Sequence, residues 1–255
     1  MTTLSEAVVL MAGEGSRLRQ GYVGQARLRG SDSTFLKPFV SVLGRPLISY
    51  ALDTLIRAGI TSVNFVVGYE SGRMIEQVKQ LIPSGLSASF IENRDWQKQN
   101  GISLLAATGH LSKPFLLTMS DHLFDDAMVD CLLGSFDPGF LNIAVDRKLG
   151  SIFDLEDAMK VQTRGNNVTG IGKNLRSYDA IDTGLFVCPP EIFAYLEQAK
   201  SINGGSDCSL VDGVRLMASY DRVRAIDIGE SWWQDVDTPE MLWHAKKKLR
   251  AVAKD

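Results

Sequence analysis

Glu6–Leu18 of this sequence reads Glu-Ala-Val-Val-Leu-Met-Ala-Gly-Glu-Gly-Ser-Arg-Leu, an apolar run that breaks into a glycine turn. The run predicts a buried β-strand, and the two glycines after it predict a turn. Backbone N–H groups in a turn of this kind bind phosphate oxygens, and Arg17 adds a positive charge beside them. The stretch therefore predicts a strand followed by a nucleotide-binding turn.

The glycine spacing excludes the two commonest nucleotide-binding fingerprints. Residues 13–18, Gly-Glu-Gly-Ser-Arg-Leu, lack the third glycine of a dinucleotide-binding turn. No Gly-Lys followed by Ser or Thr stands after the turn, so it is not a Walker phosphate loop either. The turn must belong to another class of nucleotide site.

Five short pieces of sequence stand in one order from this turn onward. They are Ala12-Gly13, Gly15, Arg17-Leu18, Lys37-Pro38 and Gly44-Arg45-Pro46-Leu47-Ile48. Together they resemble the signature of the sugar-nucleotide pyrophosphorylases, a nucleotidyltransferase family, and five ordered pieces are far more specific than one glycine loop. The resemblance implies that Arg17 and Lys37 are catalytic. It also implies nucleotide contacts from four turn residues, Ala12, Gly13, Glu14 and Gly15.

The composition favours one α/β domain. A chain of 255 residues with 45% hydrophobic content can bury a proper core and is long enough for one large α/β domain or two small ones. We expect a single domain over residues 1–255. The formal net charge of -3 argues against a nucleic-acid partner, which needs a basic face. Three widely spaced cysteines fit neither a disulfide framework nor a zinc site. Without a basic leader or an apolar run of about 18 residues, we expect no transmembrane segment and a cytoplasmic protein.

Strands and helices alternate along the chain at the intervals of a doubly wound sheet. The clearest examples are a helix at 46–58, a strand at 61–67, a helix at 71–81 and a strand at 87–92. The resemblance implies a three-layer, Rossmann-like α/β fold with a mixed sheet, of the glycosyltransferase-A type. Its nucleotide-binding half covers about residues 1–125, and its acceptor-binding half about 126–255. Residues 20–34 are rich in glycine and arginine, so we expect a mobile loop able to close over a triphosphate.

A polar stretch enters a predicted helix through the small residues of Asn100-Gly101-Ile102-Ser103-Leu104. In the family, a segment of this kind lies against the nucleobase, and the Asn-Gly-x-Ser-Leu form resembles the cytidylyltransferase branch. The resemblance therefore implies CTP as the nucleotide. The alternative is an ordinary capped helix, because Ser is a common N-cap residue. The nucleotide contacts expected in this part of the chain are Asn100, Gly101, Ser103 and Ser120.

Two places in the sequence offer carboxylates for a metal ion. The apolar strand 113–119 runs straight into Asp121, and ligands of open α/β sheets collect at the carboxyl ends of strands. Asp235 and Asp237 alternate on a short predicted strand, so both point to one side, where a divalent cation can use them. The resemblance agrees, because Asp-Val-Asp-Thr-Pro-Glu is the family's closing motif. We expect Mg²⁺ at Asp121 with Asp235 or Asp237 as the inner ligand, and His122 in a supporting position.

Three pieces in the second half narrow the resemblance to the inositol-1-phosphate cytidylyltransferases. They are Asp157-Ala158-Met159-Lys160-Val161, Ile171-Gly172-Lys173 and Asp182-Thr183-Gly184-Leu185-Phe186. The resemblance implies that Lys160, counted as catalytic, and Lys173 bind the acceptor's phosphate, while Asp182 binds a ring hydroxyl. A surface charge at Lys173 and a turn former at Asp182 are the alternatives. The expected acceptor-binding residues are Asp146, Lys160, Lys173, Asp182, Thr183 and Gly184.

These expectations describe an enzyme, a Mg²⁺-dependent nucleotidyltransferase. It would join CTP to inositol-1-phosphate, giving CDP-inositol, a phospholipid precursor, and pyrophosphate. Its partners would be those two small molecules, and a homodimer stays open. Two alternatives also stay open: a related transferase with phosphocholine, a phosphonate, a sugar-1-phosphate or another base, and a non-catalytic homologue that binds nucleotide as a sensor.

Overall fold

The fold is described from a computed structural model that covers residues 4–27 and 35–252, apart from the side chains of 22–27 and 252. The strands are β1 Glu6–Met11, β2 Ser41–Val42, β3 Arg45–Pro46, β4 Ser62–Val67, β5 Ser87–Glu92, β6 Phe115–Met119, β7 His122–Phe124, β8 Leu141–Asp146, β9 Lys160–Arg164, β10 Asn167–Gly172, β11 Ala180–Cys188, β12 Val223–Asp227 and β13 Trp233–Asp235. The α-helices are α1 Ser16–Arg27, α2 Leu47–Arg57, α3 Ser71–Lys79, α4 Asn100–Leu105, α5 Asp126–Ser135, α6 Ile192–Ile202, α7 Leu210–Ser219 and α8 Pro239–Val252. Short 3₁₀ turns cover Lys37–Phe39 and Leu149–Ser151.

Nine of the described strands form one mixed sheet in the order β5-β4-β1-β6-β11-β8-β12-β10-β9. Strand β1 pairs in parallel with β4 and β6, and β4 pairs in parallel with β5. Strand β11 runs antiparallel to β6 on one side and to β8 on the other. The mixed α/β sheet predicted from the sequence is confirmed, and β11 joins strands from the two predicted halves.

Helices cover both faces of this sheet and make the fold three-layered. Along β1, Val8 and Leu10 enter one apolar cluster with residues of α4, α6 and α7. Ala7, Val9 and Met11 enter a second cluster with residues of α2, α3 and α5. Because side chains alternate across a strand, a run that is apolar at every position packs against both layers.

A smaller apolar cluster lies beside the sheet. It joins Leu18 of α1, Val40, Leu123 of β7, and Leu242 and Ala245 of α8. Strands β7 and β13 pair antiparallel within it, with Asp235 opposite His122. Strand β13 and helix α8 are thereby held next to the end of β6.

The predicted mobile loop 20–34 is wrong over residues 20–27, because α1 continues to Arg27. Residues 28–34 lie outside the described part of the chain. Each glycine inside a helix costs about 1 kcal/mol relative to alanine, which tertiary packing can offset. Leu18 is fully buried, and a Cβ added to Gly21 would lie 2.3 Å from Cγ of Pro239. Gly21 therefore permits the close approach of α1 and α8.

Across the described part of the chain, no helix combines the length and the apolar character needed to cross a bilayer.

Candidate active site

A cleft of about 570 Å³ opens where β6 and β8 end. These two strands end at the same edge of the sheet, because both run antiparallel to β11 between them. The cleft receives side chains from both predicted halves of the chain. Predicted site residues that line it are Arg17, Asn100, Asp121, Asp146, Lys173, Asp182, Gly184, Asp235 and Asp237.

Lys37 lies between two carboxylates of the cleft. Its ammonium donates to Asp121 Oδ2 at 2.5 Å and to Asp237 Oδ1. The 3₁₀ turn Lys37–Phe39 holds the residue, whose exposure is 7%. Gly15 makes room for the side chain, since its φ is +68° and an added Cβ would lie 2.7 Å from Cβ of Lys37. The glycine turn and the predicted catalytic lysine are thus packed on each other.

Charge pairing decides the protonation of this group. Burial alone would lower the pKa of the Lys37 ammonium, but Asp121 and Asp237 raise it above its ordinary value. Burial would also raise the pKa of Asp121, yet Lys37 and His122 hold the pKa of that carboxyl well below its usual range. Lys37 and Asp121 are therefore both charged at neutral pH.

Arg17 extends the charge network across the cleft. Its guanidinium pairs with Asp237 and, through Nη1, with Asp157 Oδ2 at 2.7 Å. The other oxygen of Asp157 pairs with Lys173. Cations and carboxylates thus alternate from Lys37 to Lys173, and they link α1 to the segment between β8 and β9.

His122 is packed as a partner of Asp121. Its Nδ1 lies 2.7 Å from Asp121 Oδ1, and burial, which lowers its pKa, is outweighed by the carboxylate of Asp121, which raises it. Gly184 leaves space for the imidazole, because an added Cβ would lie 2.4 Å from Nε2. This glycine has a φ of +80°, a left-handed conformation that side chains rarely adopt. The Asp-Thr-Gly piece therefore places Gly184 against the histidine ring.

Asp182 faces the same region of the cleft from β11. Burial raises the pKa of its carboxyl to about 6, although the Gly184 N–H, which donates to Oδ1 at 2.8 Å, and the charge of His122 both oppose the rise. Thr183 points the other way, since it is fully buried and donates to the Ala144 carbonyl at 2.8 Å. Alternation along the strand separates these two predicted acceptor contacts.

The predicted metal ligands do not stand together as a three-residue centre. Among the described residues, no group of three or more His, Cys, Asp or Glu side chains is arranged to hold a metal ion. Asp121 and Asp237 converge on Lys37, whereas Asp235 accepts from the Gln234 amide at 3.1 Å. Burial raises the pKa of Asp235. The donor set nevertheless suits Mg²⁺, which prefers carboxylate oxygens and needs only one or two of them beside phosphate ligands.

The glycine turn is held by its own contacts. The Ala12 carbonyl accepts from the Tyr69 N–H at 2.8 Å, and Gly13 is exposed. Glu14 pairs with Arg19, which also donates to the Tyr69 hydroxyl at 2.8 Å. Arg19 and Tyr69 were not predicted, because residues 50 positions apart carry no common sequence signal.

The predicted base-contact residues lie at the start of α4 and the end of β6. Asn100 lines the cleft, and its side-chain oxygen accepts from the Leu210 N–H at 2.9 Å. Gly101 lies against the start of α7, where an added Cβ would be 2.5 Å from the Cys208 carbonyl. Ser103 is buried and accepts from Asn93 at 3.0 Å, and Ser120 is buried beside β1. Of these four residues, Asn100 is the one that lines the cleft.

Lys160 and Asp146, both predicted to contact the acceptor, bind neighbouring parts of the chain. The Lys160 ammonium donates to the carbonyls of Glu156 at 2.9 Å and Ala158 at 3.3 Å, and it does not line the cleft. Asp146 accepts from the Trp233 indole at 3.0 Å and pairs with Lys148 at 2.9 Å. Lys160 therefore supports the segment before β9, and Asp146 anchors β13.

Sequence reasoning missed several residues that line the cleft, among them Asp157, Lys148 and His244. Asp157 stands three positions before Lys160 in a piece already singled out, and its charge was the available signal. Lys148 donates to the Gly229 carbonyl at 2.5 Å, and His244 stacks on Phe153 with ring centroids 4.5 Å apart. Neither contact could be found without the tertiary structure.

A mixed sheet with a glycine turn and strand-end carboxylates at one edge is the arrangement of a nucleotidyltransferase of the glycosyltransferase-A-like fold. Residues 7–199 match the MobA-like NTP transferase domain, and the chain belongs to that family. The predicted nucleotidyltransferase family is confirmed.

Two relatives cover nearly all of this chain. A protein of Rubrobacter xylanophilus named bifunctional IPC transferase and DIPP synthase is 34% identical over 238 residues, which are 92% of this chain and 50% of that protein. A protein of the same name from Aquifex aeolicus is 29% identical over 248 residues, 97% of this chain and 52% of that protein. The chain therefore spans about half the length of these curated relatives.

A solved structure shares the fold along almost the whole chain. The inositol-1-phosphate CTP transferase from T. maritima superposes with a TM-score of 0.81 and covers 98% of this chain and 97% of its own, at 24% identity. This likeness shows a common fold.

Proposed function

We propose that this chain transfers the cytidylyl group of CTP to the phosphate of inositol-1-phosphate and releases pyrophosphate. The observation that carries the proposal is the position of Lys37, paired with Asp121 and Asp237 beneath the glycine turn. The relatives named IPC transferase and the fold shared with an inositol-1-phosphate CTP transferase support the substrate pair.

The reaction needs charge neutralisation and alignment. An oxygen of the acceptor's phosphate attacks the α-phosphorus of CTP, a new P–O bond forms, and the bond to the oxygen that bridges to the β-phosphorus breaks. The attacking oxygen is already anionic, so no base has to remove a proton. Both reactants are negatively charged, and the protein's task is to hold them in line and stabilise the charge that builds up.

Arg17 and Lys37 are the cations available for this task. The exposed Arg17 guanidinium, close to Asp237, can steady the β- and γ-phosphates and then the leaving pyrophosphate. Lys37 is buried beside Asp121, which follows β6. Its ammonium could stabilise the negative charge that builds up at the α-phosphate. In the free protein, carboxylates neutralise both side chains, and phosphates would replace those carboxylates.

Mg²⁺ would be held by Asp121 and Asp237, with Asp235 close to them on β13. When bound, the ion would neutralise phosphate oxygens and align the two reactants. For the carboxylates to serve it, Lys37 must turn its ammonium from them to a phosphate oxygen. The long, flexible side chain of lysine allows such a turn.

The acceptor would lie between Asp182 and Lys173. A polyol ring is read by carboxylates that accept from its hydroxyls, and Asp182 offers one at the wall of the cleft. Lys173 offers a half-exposed ammonium for the acceptor's phosphate. Lys160 would reach that phosphate only after leaving the carbonyls of Glu156 and Ala158.

The test is pyrophosphate release with CTP, UTP, GTP or ATP against inositol-1-phosphate, phosphocholine, 2-aminoethylphosphonate and hexose-1-phosphates, with Mg²⁺ and then with EDTA. We expect turnover with CTP and inositol-1-phosphate that EDTA abolishes. Turnover with another pair would keep the mechanism and correct the substrate. Binding of triphosphate without turnover for any pair would support the sensor alternative. The homodimer and the cytoplasmic location stay predictions, which sedimentation and cell fractionation would check.

A further inference from the structure

Asp157 joins two cations that come from different halves of the protein. Arg17 Nη1 lies 2.7 Å from Asp157 Oδ2, and the Lys173 ammonium pairs with Oδ1. Arg17 belongs to α1 and Lys173 follows β10. The two oxygens of the Asp157 carboxylate therefore pair with cations from two different elements of the fold. Hydrogen bonds to Lys173 and Arg17 lower the pKa of Asp157, which is therefore an anion at neutral pH.

These pairs lie open to solvent. The side chains of Arg17, Lys173 and Asp157 are 52%, 48% and 39% exposed. Ion pairs as exposed as these contribute little to folding stability. Among the described residues, Asp157 is the only carboxylate paired with Lys173. A role in ligand binding therefore explains these ion pairs better than a contribution to the stability of the fold.

A phosphate group can pair with two cations through its anionic oxygens, as the carboxylate of Asp157 does. It presents neighbouring anionic oxygens, and both guanidinium and ammonium groups bind it strongly. We propose that Asp157 is an internal counter-ion that occupies the phosphate-binding cations of the free protein and is displaced by the phosphates of the substrates. It thereby weakens the binding of phosphate ligands and favours the release of pyrophosphate. This inference rests on the proposed function, since it concerns the same cations.

The segment that carries Asp157 has other attachments. Lys160 donates to the carbonyls of Glu156 and Ala158, and Phe153 stacks on His244 of α8. The His244 ring is fixed in turn by Gln234, 2.9 Å from Nδ1. Replacement of the Asp157 carboxylate should therefore leave the segment folded.

The test compares Asp157→Asn with Asp154→Asn, two variants that each remove one negative charge from the cleft. Asp154 lines the same cleft, and among the described residues it has no ion pair with Arg17 or Lys173. Its Oδ1 accepts from the Asp157 N–H at 3.4 Å, a bond that the amide oxygen of asparagine can also accept. Binding of Mg²⁺-pyrophosphate and of CTP is measured by calorimetry at one ionic strength. We expect Asp157→Asn to bind pyrophosphate about fivefold more tightly than Asp154→Asn, because two weak ion pairs no longer compete.

Equal or weaker pyrophosphate binding by Asp157→Asn than by Asp154→Asn, with normal binding by the unaltered protein, would overturn the inference and leave the proposed function standing. Absence of any binding of pyrophosphate or CTP to the unaltered protein would overturn both. Asp157→Ser, which removes the carboxylate without adding an amide, should tighten binding in the same direction. Circular dichroism and thermal unfolding check that each variant is folded.

Discussion

Lys37 neutralises the charge of two carboxylates at the cleft. Its ammonium is nearly buried, and its charge is tolerated because two carboxylates accept from it. Removal of one partner of a buried ion pair leaves the other charges uncompensated, which costs roughly 3 to 5 kcal/mol in a fully buried site. Asp121 and Asp237 keep 19% and 25% of their side-chain exposure, so the cost here should be smaller.

Lys37→Met should therefore lower the free energy of unfolding. Addition of Mg²⁺ should raise the free energy of unfolding of this variant by more than it raises that of the unaltered protein. The physical reason is that, in the proposed metal site, the ammonium and Mg²⁺ would compete for the same carboxylates. Thermal unfolding with and without Mg²⁺ measures both effects. Lys173→Met, which frees a half-exposed carboxylate, is the control and should show little response to the ion. An equal gain from Mg²⁺ in Lys37→Met and the unaltered protein would contradict the competition.

Asp182 should make the stability of the protein depend on pH. Its carboxyl has a pKa of about 6 in the folded state against an ordinary 3.8, so the folded state binds more protons between these values. Its contribution to the free energy of unfolding is thus lost as pH rises from about 4 to above 6. Asp182→Asn removes the ionisable carboxyl, so the variant should not lose stability in this way as pH rises. Because Asp182 is partly exposed, we expect the variant to gain only about 1 to 2 kcal/mol in free energy of unfolding at pH 8.

Urea unfolding of Asp182→Asn and of the unaltered protein at pH 4.5 and pH 8 measures this difference. The gain should be present at pH 8 and nearly absent at pH 4.5. Glu76→Gln, a change at an exposed carboxyl of α3, provides the comparison and should show no gain at pH 8. A gain of the same size at both pH values would assign the effect to packing and not to the charge.

Among the elements, the contact of α4 with α7 fixes the predicted base-contact segment. Gly101 has no room for a side chain, because an added Cβ would meet backbone atoms of Cys208 and Ser209 at 2.5 Å and 2.7 Å. Backbone atoms cannot turn aside as the end of a flexible side chain can. Ser209 caps α7 in a capping box with Asp212, so the position of that backbone is itself held.

Gly101→Ala should destabilise the protein by about 1 to 3 kcal/mol, the usual cost of overpacking. Gly134→Ala, at an exposed position of α5, should instead be neutral or stabilise by up to about 1 kcal/mol, because no atom lies within 4 Å of the added Cβ. The midpoints of thermal unfolding of the two variants and of the unaltered protein measure this difference. Similar midpoints for the two variants would mean that α4 and α7 can move apart freely.

At the scale of the whole molecule, β11 unites the two predicted halves. It pairs with β6, which lies in the predicted nucleotide-binding half, and with β8, which lies in the predicted acceptor-binding half. We therefore expect unfolding in one cooperative transition, as for a single domain. Differential scanning calorimetry should give equal calorimetric and van't Hoff enthalpies. Two separate transitions would show that the halves unfold independently.

The sequence by itself determined the family, the alternation of strands and helices, and several of the residues that line the cleft. Local information sufficed for these, because an apolar run, a glycine turn and a carboxylate after a strand each act within a few residues. The sequence also pointed to Arg17, Lys37, Asp121 and Asp237, which the fold brings together.

Only the tertiary structure decided how α1 continues through its glycines, where Lys160 and Thr183 point, and which carboxylate holds Arg17 and Lys173. Gly21 leaves no room for a side chain because Pro239 lies against it, more than two hundred residues away in the chain. Asp157 pairs with Arg17 across 140 positions, a distance at which no periodicity or motif carries information. Contacts of this range depend on the packing of whole elements, and packing is settled only when the chain is folded.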